Sequence, residues 1–386
     1  MTRIFLSRHG QSEGNLYKRV QGRCDMPLTA KGRTQAGLLS ERFRGEPLTA
    51  VVSSPMCRAE ETARAAAEPH GLPVSTDARL QELDVGTWED AAYGRLGWED
   101  PRLLEVFCTC TDRWQVPGSE STAAAGERME AALRDIGRAN AGGTVLAISH
   151  GMVTRCLLSR LLGRPISEIP NGGNTAVALL LYDEAADTLA VEYYNDSSHV
   201  PVVPGKTGWW MNGNAVSGGC LRFEPFDMEN GRELYEECYR DAWCVAHGSD
   251  AGFSPFAVWS AAVMRMAERP GCILAAKLGD EFCGIVARDE RRGAARGELW
   301  VVLCYLKEEW RGRGMGAQLI GELSAAARRL GRRKLMLCVA PGNPALGFYE
   351  HCGFQVCGRE PGALEELLVM EKTVHPARSE DEDGDC

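Results

Sequence analysis

Leu6-Ser7-Arg8-His9-Gly10-Gln11-Ser12-Glu13-Gly14-Asn15, near the start of the chain, is the stretch on which the fold of the first half turns. The apolar run Ile4-Phe5-Leu6 meets an Arg-His-Gly turn and then polar, glycine-containing sequence, which predicts a buried strand ending where a reactive side chain is presented. That side chain is His9. A neutral imidazole can attack phosphorus near pH 7, and an adjacent guanidinium, here Arg8, can grip two phosphoryl oxygens at once. An Arg-His-Gly triplet is equally at home in a solvated loop, so its meaning depends on the partners that follow.

Those partners come in order, each near the predicted end of a strand. Gln21-Gly22-Arg23-Cys24-Asp25-Met26-Pro27-Leu28-Thr29 leads into a helix capped by Thr29, with Ala36, Leu38, Leu39 and Phe43 as its apolar stripe. An apolar strand over 48–54 ends at Ser53-Ser54-Pro55-Met56-Cys57-Arg58. Arg58 then falls in the first turn of a helix, where it and the helix N-terminus direct positive charge at the carboxyl edge of the sheet. A third strand end, at 79–89, carries Glu82 among leucines and Trp88, surroundings that favour a protonated carboxyl and hence a proton donor. The fourth, Thr144-Val145-Leu146-Ala147-Ile148-Ser149-His150-Gly151, closes on a second His-Gly before a helix over 153–162. Strands alternating with helices predict an α/β unit with a mostly parallel sheet, which would gather these ionisable groups at one edge.

Together, Arg8-His9-Gly10, Gln21-Gly22, Ser53-Ser54-Pro55 with Arg58, Glu82 with Gly86-Thr87-Trp88-Glu89, Ser149-His150-Gly151 and Pro117-Gly118-Ser119-Glu120-Ser121 resemble the histidine phosphatase superfamily, which includes the cofactor-dependent phosphoglycerate mutases. The resemblance implies a three-layer α/β/α domain over 1–197 and a mechanism that needs no metal. His9 would attack a phosphoryl group while Arg8, Arg58 and His150 neutralise its equatorial oxygens. Glu82 would protonate the leaving oxygen and then take a proton from the hydrolytic water. Asn15, Gln21 and Gly22 would help to bind the phosphate. Met152 stands where the family commonly has glycine. Mutases share these residues, but the 21–29 segment and the short path from Glu82 to His150 look like the small phosphatases of phosphorylated small molecules. The insertion over 91–121 would set substrate choice, with Tyr93, Trp98, Phe107 and Trp114 either covering the pocket or packing the insertion.

Past Asn195 the strand pattern stops, and prolines and glycines mark a linker over 198–219. Gly205-Lys206-Thr207 is no phosphate loop, because Val200 stands where that pattern requires glycine, and Trp209-Trp210 is expected to pack between domains. The chain then restarts with a strand at 221–226 and a helix over 231–245. A strand over 298–306 runs into Lys307-Glu308-Glu309-Trp310-Arg311-Gly312-Arg313-Gly314-Met315-Gly316-Ala317 and a helix to about residue 330. Glycines at such a turn let consecutive N–H groups converge on a diphosphate. With the strand over 334–339, Asn343-Pro344-Ala345 and Phe348-Tyr349-Glu350-His351-Cys352-Gly353-Phe354, the segment over 220–373 resembles the GNAT N-acetyltransferases, an α+β acyl-CoA fold. By that resemblance Leu306 meets the pantetheine arm of acetyl-CoA through its backbone, and Arg311, Gly312, Arg313, Gly314, Met315, Gly316 and Ala317 cradle the pyrophosphate. Asn343 would contact CoA, Tyr349 would protonate the leaving thiolate, and Glu298 is a candidate base for the amine.

Composition bounds these readings. A chain of 386 residues exceeds the size of one growing core, and 44% hydrophobic with 25% charged residues is ordinary for a globular protein. A formal charge of -10 argues against nucleic acid or an anionic membrane as the main partner. No apolar run approaches the roughly 18 residues of a membrane helix and the first residues do not form a signal peptide, so a cytoplasmic location is expected. The 15 scattered cysteines read as reduced thiols, with Cys108 and Cys110 too few to close a metal site. The acidic tail over 374–386 is expected to be solvated and disordered. The whole reads as a fusion of a phosphomonoesterase with an acetyl-CoA-dependent N-acetyltransferase whose amine acceptor is a small molecule or a protein. A mutase, or a phosphatase regulated by a non-catalytic acetyl-CoA sensor, are the alternatives, and the tether raises the effective concentration of one site near the other.

Overall fold

A computed structural model describes residues 1–109, 111–201 and 219–375. Most of the expected linker, with Lys206, Thr207, Trp209 and Trp210, and most of the expected acidic tail lie outside the described residues, as does Cys110.

The first sheet is built from β1 (Thr2–Arg8), β2 (Ala50–Ser53), β3 (Val74–Thr76), β4 (Thr144–Ser149), β5 (Val177–Asp183) and β6 (Thr188–Asp196), in the order β3-β2-β4-β1-β5-β6. The first four are parallel, and β5 and β6 add antiparallel at one edge. Side chains along the central strands alternate between two cores. Ile4, Leu6, Val145, Ala147, Ala178 and Leu180 face one, and Phe5, Leu146, Ile148, Val177 and Leu179 face the other. A sheet buried on both faces needs a helical layer on each. After α1 (Glu13–Tyr17), the helices α2 (Ala30–Phe43) and α3 (Cys57–Ala67) cover the second core, giving it Leu39, Phe43, Ala59 and Ala63. The insertion forms α4 (Tyr93–Glu99) and α5 (Pro101–Thr109); then α6 (Thr122–Ala139) and α7 (Gly151–Leu162) cover the first core with Met129, Leu133, Val153 and Leu157. The Thr29 hydroxyl caps α2 by accepting from the Gly32 N–H.

Two expectations need correction here. No strand ends at 79–89: β3 stops at Thr76, and a short 3-10 turn over Ala78–Leu80 carries the chain on to Glu82. The helix after His150 begins at Gly151, so His150 itself occupies its N-cap position.

The second sheet contains β7 (Arg222–Pro225), β8 (Ile273–Leu278), β9 (Glu281–Asp289), β10 (Glu298–Leu306), β11 (Lys334–Val339), β12 (Gln355–Pro361) and β13 (Glu366–Thr373), in the order β12-β13-β11-β10-β9-β8-β7. Only β10 and β11 are parallel, and they pair solely from Glu298 to Trp300 with Lys334 to Met336 before separating. One face carries α8 (Arg232–His247) and α9 (Pro255–Glu268); the other carries α10 (Gly316–Arg329), and α11 (Leu346–His351) lies beyond β11.

The two halves share a core. Tyr17, 2% exposed, belongs to the same apolar cluster as Leu319, Leu323 and Phe354. Gly321 of α10 sits so close that a Cβ there would lie 2.5 Å from the Tyr17 Cβ. Buried charges cross the same seam: Lys372 with Glu13, and Arg19 and Arg328 with Asp90 and Glu322.

Candidate active sites

The ends of β1 and β4 bring His9 and His150 side by side, ring centroids 5.1 Å apart and edge to face. His9 Nδ1 lies 2.6 Å from the Gly10 carbonyl oxygen. A carbonyl only accepts, so Nδ1 carries the proton and Nε2 keeps its lone pair. Burial, then the Arg58 and Arg8 guanidinium groups, hold this imidazole well below the usual histidine pKa. Burial, Arg58, His9 and Arg8 do the same to His150.

Arg58 and His150 are 0% exposed and close the site from behind. Arg58 donates to the carbonyls of Cys24 and Gly22, each at 3.0 Å, and Arg8 donates to the Gly172 carbonyl at 2.8 Å. Arg8 Nε, Arg58 Nε and His150 Nδ1 are buried with no protein partner among the described residues. Buried donors left unpaired are costly, and this set is arranged to be completed by an anion. The loop after His9 is held tightly. The Gly10 N–H donates to the Thr62 hydroxyl at 3.1 Å, and a Cβ on Gly10 would lie 2.5 Å from the Gly32 carbonyl oxygen.

Glu82 joins the site by a route the sequence did not reveal. Instead of an apolar surround, its carboxylate accepts the N–H groups of Leu83 at 2.9 Å, Met152 at 3.1 Å and Val153 at 2.8 Å, the last two at the start of α7. Met152 thus takes part through its backbone. Arg128 on α6 fixes the Glu82 loop by donating to the carbonyls of Arg79, Gln81 and Glu82 while pairing with Glu120. Nothing in the spacing marks Arg128.

A cleft opens over His9, lined by Arg8, Asn15, Gln21, Glu82 and Met152 among others. The Asn15 side-chain Oδ1 accepts from the Ser12 N–H and the Asn174 amide, and the Gln21 amide donates to the Ser12 hydroxyl at 2.6 Å. Gly22 does not line the cleft. Its N–H donates to Glu89 and its carbonyl to Arg58 is an acceptor, so it supports the arginine rather than facing a ligand. Of the insertion's aromatics, Tyr93 and Phe107 line the cleft, and Trp114 packs on Phe107 and Trp88. Trp98 instead lies beneath the Arg222 guanidinium of the second half.

In the second half, Gly312 and Gly314 adopt φ of 71° and 76°, conformations that favour glycine. The N–H groups of 312–316 donate to no backbone or side-chain acceptor among the described residues outside the helix, ahead of the α10 N-terminus. These residues fit a pyrophosphate. Arg311 is turned back, donating to the Leu306 carbonyl at 2.8 Å and pairing with Asp241 at 2.5 Å. The Leu306 carbonyl is therefore taken. Met315 and Ala317 side chains are buried, and Arg313 stacks over Trp310. The Asn343 side chain accepts the Ala345 N–H at 2.8 Å and so shapes the turn into α11. The Tyr349 hydroxyl lies near the Cys304 thiol on β10, and burial, then Cys304 and Cys352, push its pKa far up. Glu298 does not suit a base: Arg296 and the Trp300 indole both donate to its carboxylate, on the stretch of β10 still paired with β11.

All the described cysteines are free, and among the described residues no three metal-ligating side chains cluster. Among them also, no helix is long and apolar enough to cross a membrane.

A mostly parallel sheet presenting two histidines and two arginines at its carboxyl edge defines an α/β protein with a built anion site. The chain belongs to the histidine phosphatase superfamily, branch 1, whose family model matches residues 4–197. The acetyltransferase (GNAT) family model matches residues 228–354 of the same chain. The first half is similar to the probable phosphoglycerate mutase GpmB of Yersinia enterocolitica, 39% identical over 165 residues, which are 43% of this chain and 77% of the relative. Among solved structures it is similar to Bacillus stearothermophilus YhfR, at 30% identity and a TM-score of 0.49 over 52% of this chain and 99% of that one. It is also similar to a mycobacterial glucosyl-3-phosphoglycerate phosphatase, at 25% identity and a TM-score of 0.46 over 50% and 99%.

Proposed function

We propose that residues 1–197 form a metal-independent phosphomonoesterase and residues 220–373 an acetyl-CoA-dependent N-acetyltransferase, joined in one bifunctional enzyme. The observation that carries the first part is the buried, unpartnered donor set around His9: Arg8 Nε, Arg58 Nε and His150 Nδ1. His9 Nε2 attacks phosphorus, forming the N–P bond as the P–O bond to the alcohol breaks, and Glu82 gives that oxygen a proton. Glu82 then takes a proton from water, whose oxygen displaces His9 and releases inorganic phosphate. Arg8, Arg58 and His150 meet the charge on the equatorial oxygens, with Asn15 and Gln21 at the rim.

A mutase reading has in its favour the likeness to the Yersinia relative, a probable phosphoglycerate mutase. The cleft favours hydrolysis. Its lining cations among the described residues are Arg8, which the phosphoryl group would occupy, and Arg19, already neutralised by Asp90 and Glu322. Phosphoglycerate brings a carboxylate that finds no free cation there, whereas Val20, Leu83, Val85 and Phe107 suit an uncharged alcohol. Release of inorganic phosphate from uncharged-alcohol phosphates, against relocation of phosphate on phosphoglycerate, decides between the two.

For the second half, bound acetyl-CoA supplies an activated acetyl thioester. The N–H groups of 312–316 would hold its pyrophosphate, and the Tyr349 hydroxyl, kept protonated by burial, would give a proton to the leaving thiolate. Tyr349→Phe should keep acetyl-CoA binding within a few-fold and lower transfer to an amine about 10²-fold or more. Equal transfer in the variant would favour a sensor domain over an enzyme.

A further inference from the structure

We propose that Ser54 is a positioning residue that fixes the tautomer of His150, keeping the ring proton on Nδ1. Ser54 directly follows β2 and is 0% exposed, and its Oγ lies 2.8 Å from His150 Nε2. The Met56 N–H donates to the same oxygen at 3.4 Å. A buried hydroxyl has one proton to place. If Nε2 were protonated, Ser54 would accept from both neighbours, and no third group among the described residues lies within hydrogen-bond reach of its Oγ to take its own proton. If Ser54 donates to Nε2, every group is satisfied except Nδ1, which then bears the proton.

Nδ1 is also the buried atom that lacks a protein partner. As an N–H it is a donor waiting for an anionic oxygen; as a lone pair it would repel one. Burial and the arginines Arg58 and Arg8 beside the ring disfavour the doubly protonated form, which makes the choice between neutral tautomers the one that matters. Ser54 therefore supplies, through Nε2, the direction of the hydrogen bond that His150 offers to the phosphoryl group. The consequence for turnover rests on the phosphatase reading; the tautomer does not.

Wild type labelled with ¹⁵N-histidine, with His150→Gln for assignment, reads the tautomer directly, before and after addition of inorganic phosphate. The expected spectrum has a pyrrole-like Nδ1 and a pyridine-like Nε2 at His150. Ser54→Ala should lose that signature, bind inorganic phosphate about tenfold more weakly and lose kcat by a similar or larger factor, while Ser54→Thr, which keeps the hydroxyl, restores the signature. A pyridine-like Nδ1 in wild type, or an unchanged signature in Ser54→Ala, overturns the proposal; the wild-type spectrum decides even if the alanine variant does not fold. The predicted tautomer without hydrolysis of any ester would leave Ser54 orienting His150 and count against the phosphatase reading instead.

Discussion

Arg19 and Glu322 lie 303 positions apart in the sequence and pair at 2.9 Å across the seam between the two halves. Arg19, which also lines the cleft over His9, holds Asp90 at 2.6 Å. Asp90 in turn takes both ends of Arg328 on α10, each at 2.8 Å. Burial alone would push the Asp90 carboxyl up, but Arg19 and Arg328 outweigh it and leave it lowered. The helix that begins at the glycine loop therefore braces the segment that carries Asn15 and Gln21.

Removing one member of such a buried network strands its partner, which typically costs about 3 kcal/mol. Glu322→Ala should destabilise the whole chain by roughly that amount in urea unfolding, and phosphate release should fall in the same transition as acetyl transfer. Separate transitions for the two activities would show that the halves are only tethered.

Gly321→Ala tests the same seam by packing. On an exposed helix surface this change stabilises by about 1 kcal/mol. Here the new methyl would meet the Tyr17 side chain at 2.5 Å, so overpacking should win, with a net loss of about 1–3 kcal/mol. A stabilised variant would mean that α1 and α10 are not pressed together in solution.

The two lowered histidines set a pH dependence. Folded His9 and His150 resist protonation, while in the unfolded chain they take protons near 6.5. Below that value the unfolded state binds more protons, so stability is fully present above it and declines as pH falls, by at most about 1.4 kcal/mol per pH unit for each histidine. Urea titrations from pH 8 to pH 5 should show this slope reduced in His9→Asn, and inorganic phosphate should offset part of it.

How far the sequence foretold these sites depends on how local each signal is. Arg8, His9 and His150 were legible because an apolar run that stops at a His-Gly fixes both the strand and the side chain at its end. Arg58 was legible from the Ser-Ser-Pro turn that starts its helix. Glu82 was named but its surroundings were misread, because its carboxylate is held by N–H groups some 70 positions away and its backbone by Arg128, contacts that no periodicity encodes. Ser54 and the Arg19 network were invisible for the same reason. Gly22 and Arg311 kept their places but serve neighbouring protein groups.

Glu82→Gln separates the two proton transfers. Turnover of an alkyl phosphate should fall about 10²–10⁴-fold, since its alkoxide must be protonated to leave. With p-nitrophenyl phosphate, whose phenolate leaves unaided, the same variant should give a burst of one equivalent of phenolate and then a slow phase, because water still lacks its base. A single linear phase at wild-type rate would remove Glu82 from the chemistry.

The central claim is a covalent phosphohistidine on His9. Mixing the protein with an excess of a phosphate ester, quenching in alkali within one turnover and mapping the phosphorylated peptide by mass spectrometry tests it most directly. The account predicts acid-labile phosphate on His9, decaying at a rate that matches phosphate release and absent from His9→Ala, which should also lose turnover. Phosphate release at full rate in His9→Ala, or label accumulating on any other residue, would contradict it.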